Sequence, residues 1–281
     1  MNHRFHEWSL VAFTWAAIVG AGLLAVSAVL GERPLAWWGL CAIGAGFLVS
    51  TAHLGRPARA AMALRRAGRS PLSNEILIGG LALVSGIVWM FAPAASGVLA
   101  LDAAGSIRLA TGARVATAAV ASLFLLAVGL VYRLRGQHTW RGAATAGPVL
   151  AGLASGAAGA ALLSVAPPAW LYPAAWLLLA ADAAVACVRW RTIARVGFPP
   201  VHARLFAHRH ALMTGRIALF DLLPAVLLSV GGGVAAAAAL AAMAAGLLLD
   251  RVAFYGLAQR ATTDAELARI EDVIGMTAGG R

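Results

Sequence analysis

Apolar residues run through this 281-residue chain in long blocks separated by short polar segments. A helix that rises ~1.5 Å per residue needs about 20 apolar residues to cross ~30 Å of hydrocarbon. Eight blocks of that kind lie near residues 9–30, 35–53, 74–96, 112–132, 147–166, 169–188, 216–232 and 234–254. They predict an all-α polytopic membrane helix bundle of about eight transmembrane helices over 1–256, followed by a short tail over 257–281. Three connections are tight: Gly31-Glu32-Arg33-Pro34, Pro167-Pro168 and Gly231-Gly232-Gly233. Residues 97–111 read as a longer loop carrying Asp102 and Arg108. In the fifth block, Gly152 with Gly156 and Ser155 with Gly159 are small-residue pairs four apart, which permit close helix packing. In the tail, Thr263 with Glu266 fits a capping box and Leu267, Ile270 and Ile274 recur at helical spacing, so a short amphipathic helix is expected there. The first block lacks a strongly basic preceding region and reads as a retained helix rather than a cleaved signal.

Composition agrees with this pattern. Hydrophobic residues make up 61% of the chain and charged residues 12%, against roughly 45–50% and ~25% in soluble domains. A soluble core of this size cannot hide that excess. The formal net charge of +11 would suggest nucleic acid in a soluble protein; here it points to anionic lipid headgroups or to topology, and no nucleic-acid partner is expected. All 22 Lys+Arg residues are Arg, and 19 of them fall on one side of the predicted alternation, the side that also holds both termini. Only Arg33, Arg108 and Arg114 fall on the other. The positive-inside rule places the Arg-rich face and both termini in the cytoplasm, with the chain multi-pass in a bacterial inner membrane. An odd number of spans would scramble the asymmetry.

The chemistry rests on ionisable residues within or at the edge of spans, where burying charge is costly. These are His53, Glu75, Asp182, Asp221 and Asp250, all in the membrane half nearest the Arg-rich face. The opposite half lacks such stations, which argues against a proton pathway across the whole membrane. Only His53 among the seven histidines lies at membrane depth, so a haem held by two axial histidines is not expected. Cys41 and Cys187 are far apart and read as core thiols, too few for an iron–sulfur cluster, which typically wants four. His202, His208 and His210 read as part of a solvated basic loop rather than a metal site. No haem, no iron–sulfur cluster and no metal is expected in this protein. A shallow polar pocket without a metal suits a quinone, since quinol oxidation needs a group that hydrogen-bonds the hydroxyl and accepts its proton, as His does. His53 and Glu75 bracket one loop and could meet across adjacent helices. Spacing alone leaves equal room for His53 as a C-terminal helix cap and Glu75 as an N-terminal one. Asp182 and Asp221 are candidates for pocket lining or a proton relay, or pair with arginine; Asp221 is expected near Arg216.

The same residues carry a resemblance. His6-Glu7-Trp8-Ser9-Leu10 with Phe13-Thr14, His53-Leu54-Gly55-Arg56-Pro57 with Arg59-Ala60, Ser70-Pro71-Leu72-Ser73-Asn74-Glu75-Ile76, and Asp250-Arg251-Val252-Ala253-Phe254-Tyr255-Gly256 together resemble the membrane-anchor subunit of DMSO reductase, the DmsC family of the molybdopterin oxidoreductase complexes. The resemblance covers nearly the whole sequence and is most specific over the first two spans and their loop. It implies a heterotrimer in which a molybdopterin catalytic subunit and a four-cluster, ferredoxin-like iron–sulfur subunit dock on the anchor, here on the Arg-rich face. The anchor binds menaquinol and passes its electrons to the iron–sulfur subunit in anaerobic respiration. This protein would then contribute quinol oxidation and not the substrate chemistry. Quinol-binding residues map onto His53 and Glu75, with Arg56 and Ser73 beside them in the matching segments. Some family members are reported with catalytic subunits outside the cytoplasm, whereas the charge bias here places the docking face inside. A related complex running toward quinone, as in sulfite oxidation, is therefore an alternative. A proton-coupled transporter using Asp182, Asp221 and Asp250 is a third reading, though no internal repeat favours it. A purely structural anchor that has lost its quinone site is a fourth.

Overall fold

The computed structural model describes residues 8–53, 65–131, 143–164, 166–195 and 203–257. Among the described residues, eight helices are long and apolar enough to span a membrane. They are α1 (Trp8–Leu30), α2 (Arg33–His53), α3 (Pro71–Val98), α4 (Ala103–Val131), α5 (Ala143–Leu163), α6 (Leu171–Arg195), α7 (Arg209–Val230) and α8 (Gly233–Gly256). A short helical turn, Ala203–Ala207, precedes α7. The tail beyond Leu257, with its expected amphipathic helix, lies outside the described residues.

Several helices are longer than hydropathy suggests, because their ends carry polar residues with local structural jobs. The segment expected as a long loop before the fourth span is mostly the start of α4. Asp102 Oδ1 accepts the Gly105 N–H at 2.7 Å, the bond of an N-cap, and the helix begins at once. Helix α3 starts at Pro71, whose missing N–H costs nothing in a first turn. Asn74 Oδ1 accepts the Gly68 N–H at 2.6 Å and secures the preceding turn. Glu75 therefore stands beyond the first turn and is not a cap. Gly231 and Gly232 have φ of 76° and 84°, values that a side chain resists, and they reverse the backbone between α7 and α8.

Each helix packs on its sequence neighbour, and the neighbours close into two rings: α1–α2–α3–α4, with α4 back against α1, and α5–α6–α7–α8, with α8 back against α5. The rings join where α1 meets α5 and α8, and where α5 meets α4. Helix α1 is the hub. Its central stretch is 67% buried, against 28% for α3 and for α6. Bilayer lipid does not drive apolar helices together as water would, so close backbone approach has to do so. At the α1–α5 crossing a side chain on Gly22 or Gly156 would collide with the other helix's backbone, at Gly152 and Gly22 respectively. The small residues predicted to allow close packing are thus the seam between the two rings. Trp15 Nε1 adds a 2.8 Å bond to the Ala244 carbonyl, tying α1 to α8.

Leu77, Leu81, Val84, Ile87, Val88 and Phe91 of α3 face outward, as a lipid-immersed surface requires. Cys41 and Cys187 also face outward, which corrects their reading as core thiols. In lipid, apolar neighbours in sequence do not imply an interior position.

Candidate functional site

Most buried hydroxyls need no functional account. Thr14, Ser27, Ser96, Thr117 and Ser155 each donate to a carbonyl three or four residues earlier in their own helix. Two clusters remain.

The first lies at the Arg-rich end of the first ring. His53 is the last residue of α2, and Ser73 and Glu75 sit near the start of α3. Arg56 lies outside the described residues. Glu75 is 1% exposed, and neither carboxyl oxygen has a hydrogen-bond partner among the described residues. Ser73, two residues earlier, is buried as well. Burying a carboxyl group without a partner costs several kcal/mol, so such a group calls for a specific explanation, with ligand binding prominent among them. One turn deeper, on the same face of α3, is Gly79. A methyl there would meet Phe47 at 2.6 Å and Phe124 at 2.7 Å. Those two rings stack with centroids 6.1 Å apart and planes 12° apart, and Phe13 leans on Phe47 at 5.6 Å. All four helices of the first ring therefore contribute: α3 the carboxyl group and α1, α2 and α4 an aromatic layer one turn beneath it. The glycine at 79 makes room for that layer. Sequence reading missed the phenylalanines, because an aromatic in an apolar span looks like any other lipid-facing or core residue. The only available signal was a glycine one turn after a membrane-buried glutamate.

The second cluster lies in the second ring and brings Asp182 and Asp221 together. Arg216 Nη1 donates to Asp221 Oδ2 at 2.5 Å, as expected from sequence, and Arg216 Nη2 pairs with Asp182 Oδ2. Arg189 Nη1 donates to Asp250 Oδ1 at 2.7 Å, Arg251 pairs with Asp250 Oδ2, and Arg216 Nε stands 3.6 Å from Asp250 Oδ1. All six side chains are nearly withdrawn from the surface. Arg189 and Arg251 lie over the ring of Phe254 at 5.0 and 4.7 Å, and Arg216 over Phe220 at 5.0 Å. Three arginines assigned to the Arg-rich face by charge counting are thus buried partners of aspartates.

The local backbone explains the convergence. Pro224 lacks an N–H and its ring crowds the carbonyl four residues back, at Phe220. The backbone responds with a π turn over Ala218–Leu222, in which the Leu223 N–H reaches back five residues to the Ala218 carbonyl. Arg216 and Asp221, five apart, are thereby aligned. Gly246 of α8 lets that turn come close: a methyl there would lie 2.6 Å from the Phe220 nitrogen.

Among the described residues no group of three His, Cys, Asp or Glu is arranged to hold a metal ion. His210 Nδ1 accepts the Trp190 Nε1–H at 3.2 Å.

Known proteins share parts of this sequence. The C subunit of the anaerobic dimethyl sulfoxide reductase of Haemophilus influenzae is 31% identical over 157 residues, covering 52% of this protein and 53% of that one. Its counterpart in Escherichia coli K12 is 37% identical over 105 residues, covering 33% and 37%. The YnfH subunit of an anaerobic dimethyl sulfoxide reductase from the same organism is 35% identical over 102 residues, covering 32% and 35%. The aligned regions thus span about half or less of the curated relatives. No solved structure matches the sequence. The family profile described as DMSO reductase anchor subunit (DmsC) matches residues 1–257, and on that match the protein belongs to the DmsC family of DMSO reductase membrane anchors.

Proposed function

We propose that this anchor binds menaquinol at the α2–α3 junction, takes its two electrons and two protons, and passes the electrons to an iron–sulfur subunit docked on the Arg-rich face. A molybdopterin catalytic subunit bound to that partner would use them. The observation that carries the reading is Glu75, a carboxyl group buried without a partner among the described residues, at the head of α3 and one turn above an aromatic layer. A quinol hydroxyl supplies the missing donor, and aromatic side chains suit its ring. His53 and Arg56, at and just beyond the end of α2, complete the proposed site, with Ser73 beside Glu75. Orientation rests on charge. The Arg bias supports a cytoplasmic docking face, and this favours, as a second reading, a complex that delivers electrons to quinone instead. Many transporters build their sites from discontinuous helices at mid-membrane; the spans described here are continuous, and the π turn of α7 keeps its helical path.

Fluorescence quenching of a quinol analogue, titrated into the assembled complex, tests the site. Glu75→Gln and His53→Ala are each expected to weaken binding at least tenfold while the complex stays assembled. Undiminished binding in both variants would remove the quinol role from this junction.

A further inference from the structure

We propose that Asp182 and Asp221 hold one proton between them, so that the second ring contains a proton-binding site separate from the quinol junction. The network contains three aspartates and three arginines, but the charges are not evenly shared. Asp250 takes Arg189 and Arg251, with Arg216 Nε as a further neighbour at 3.6 Å. Asp182 and Asp221 both take Arg216 and have no ion pair with Arg189 or Arg251 among the described residues. Two carboxyl groups thus face one guanidinium. Each binds it through Oδ2, and each is left with an Oδ1 that is buried and without a partner among the described residues. The two carboxyl groups occupy the two terminal nitrogens of one guanidinium and so stand side by side. Two carboxylates offer only acceptors, so a hydrogen bond between them requires a proton. Neighbouring like charges that share a site favour holding one proton between them.

One proton held between the carboxyl groups makes one a donor and the other its acceptor. It also leaves the pair with a single negative charge opposite a single guanidinium. The surplus positive charge then sits on Arg189 and Arg251, on either side of Asp250 and over the Phe254 ring, a surface that tolerates cations. Among the described residues, every charged group facing the pair belongs to this network: Arg189 from α6, Arg216 from α7, and Asp250 and Arg251 from α8. Helix α5 closes the remaining side with Gly147 and Ala151. A cavity of about 10 Å3, bordered by Asp182, Arg189, Arg216 and Asp250, has room for about one water beside the pair. A proton passing between Asp221 and Asp182 changes neither the net charge of the network nor its contacts with Arg216. This suits a site that stores or relays protons. The proposal stands whether or not quinol binds at Glu75.

Infrared spectroscopy of the full-length protein at neutral pH, with and without carboxyl-13C aspartate, tests it. The expected result is a carbonyl stretch of a protonated carboxylic acid that shifts with the aspartate label, is lost in both Asp182→Asn and Asp221→Asn, and persists in Glu75→Gln. Loss in both variants follows because the asparagine amide supplies the donor that the proton supplied. Absence of the band, insensitivity to the label, or survival in both variants overturns the proposal. If neither variant assembles, the labelled parent and a variant with Asp264 and Asp272 replaced by asparagine decide: a label-sensitive band that survives that replacement supports the pair, since Asp102 is exposed and Asp250 is already held by arginines.

Discussion

The two buried acidic sites are chemically unlike. Glu75 has no partner among the described residues, while Asp250 has two arginines hydrogen-bonded to it and a third nearby. Removing an unpartnered buried carboxyl group relieves a cost, whereas removing one member of a buried ion pair exposes the cost of the other. Asp250→Ala is therefore expected to destabilise the protein by about 3–5 kcal/mol, read as a large fall in thermal unfolding temperature in detergent. Glu75→Gln is expected to leave stability within about 1 kcal/mol of the parent by the same measurement, because no bond among the described residues is lost. A comparable loss in both variants would mean that Glu75 has a structural partner. Sequence picked out both acids by the same rule, that charge in a span is functional. It could not tell them apart, because two of the three arginines around Asp250 come from α6 and α7, with Arg189 61 residues away.

At the scale of helices, the contact between α1 and α5 carries the joint between rings. Gly22 has no room for a Cβ against α5, while Gly44 of α2 has nothing within 4 Å of where its Cβ would be. Gly22→Val is expected to cost about 1–3 kcal/mol or more by overpacking, seen as loss of the monodisperse species on size exclusion. Gly44→Ala is expected to be neutral or stabilising by up to ~1 kcal/mol, since alanine loses less backbone entropy in a helix. Equal behaviour of the two variants would refute the tight crossing. The pattern of small residues in α5 is legible in the sequence. That its partner surface is Gly22 is not, because α1 carries small residues on more than one face. The π turn is a similar case: Pro224 announces a disturbance, but only the packing of α8 at Gly246 shows that the disturbance aims Asp221 at Arg216.

For the whole molecule, alternation of eight spans makes the two faces of the bundle testable. Ala67, in the turn before α3, and Ala103, at the start of α4, are exposed at opposite ends of α3. In a background with Cys41 and Cys187 replaced by alanine, Ala67→Cys is expected to react with a membrane-impermeant thiol reagent only from the cytoplasmic side, and Ala103→Cys only from the opposite side. The reverse pattern would put the Arg-rich face outside and overturn the orientation read from charge.

The existence, number and approximate position of the eight spans were readable along the sequence because transfer into lipid is a local quantity, summed over some 20 consecutive residues. The family motifs were readable for the same reason, being short and contiguous. Helix ends were less so: Asp102 and Pro71 look like loop residues until the structure makes one the N-cap of α4 and the other the first residue of α3. The closing of two rings, the aromatic layer under Glu75 and the sharing of Arg216 by two aspartates were decided by the fold alone. Each joins residues from different helices, and hydropathy carries no information about which apolar faces meet. Close backbone approach and the pairing of buried charges choose those partners, and both exist only once the helices have packed.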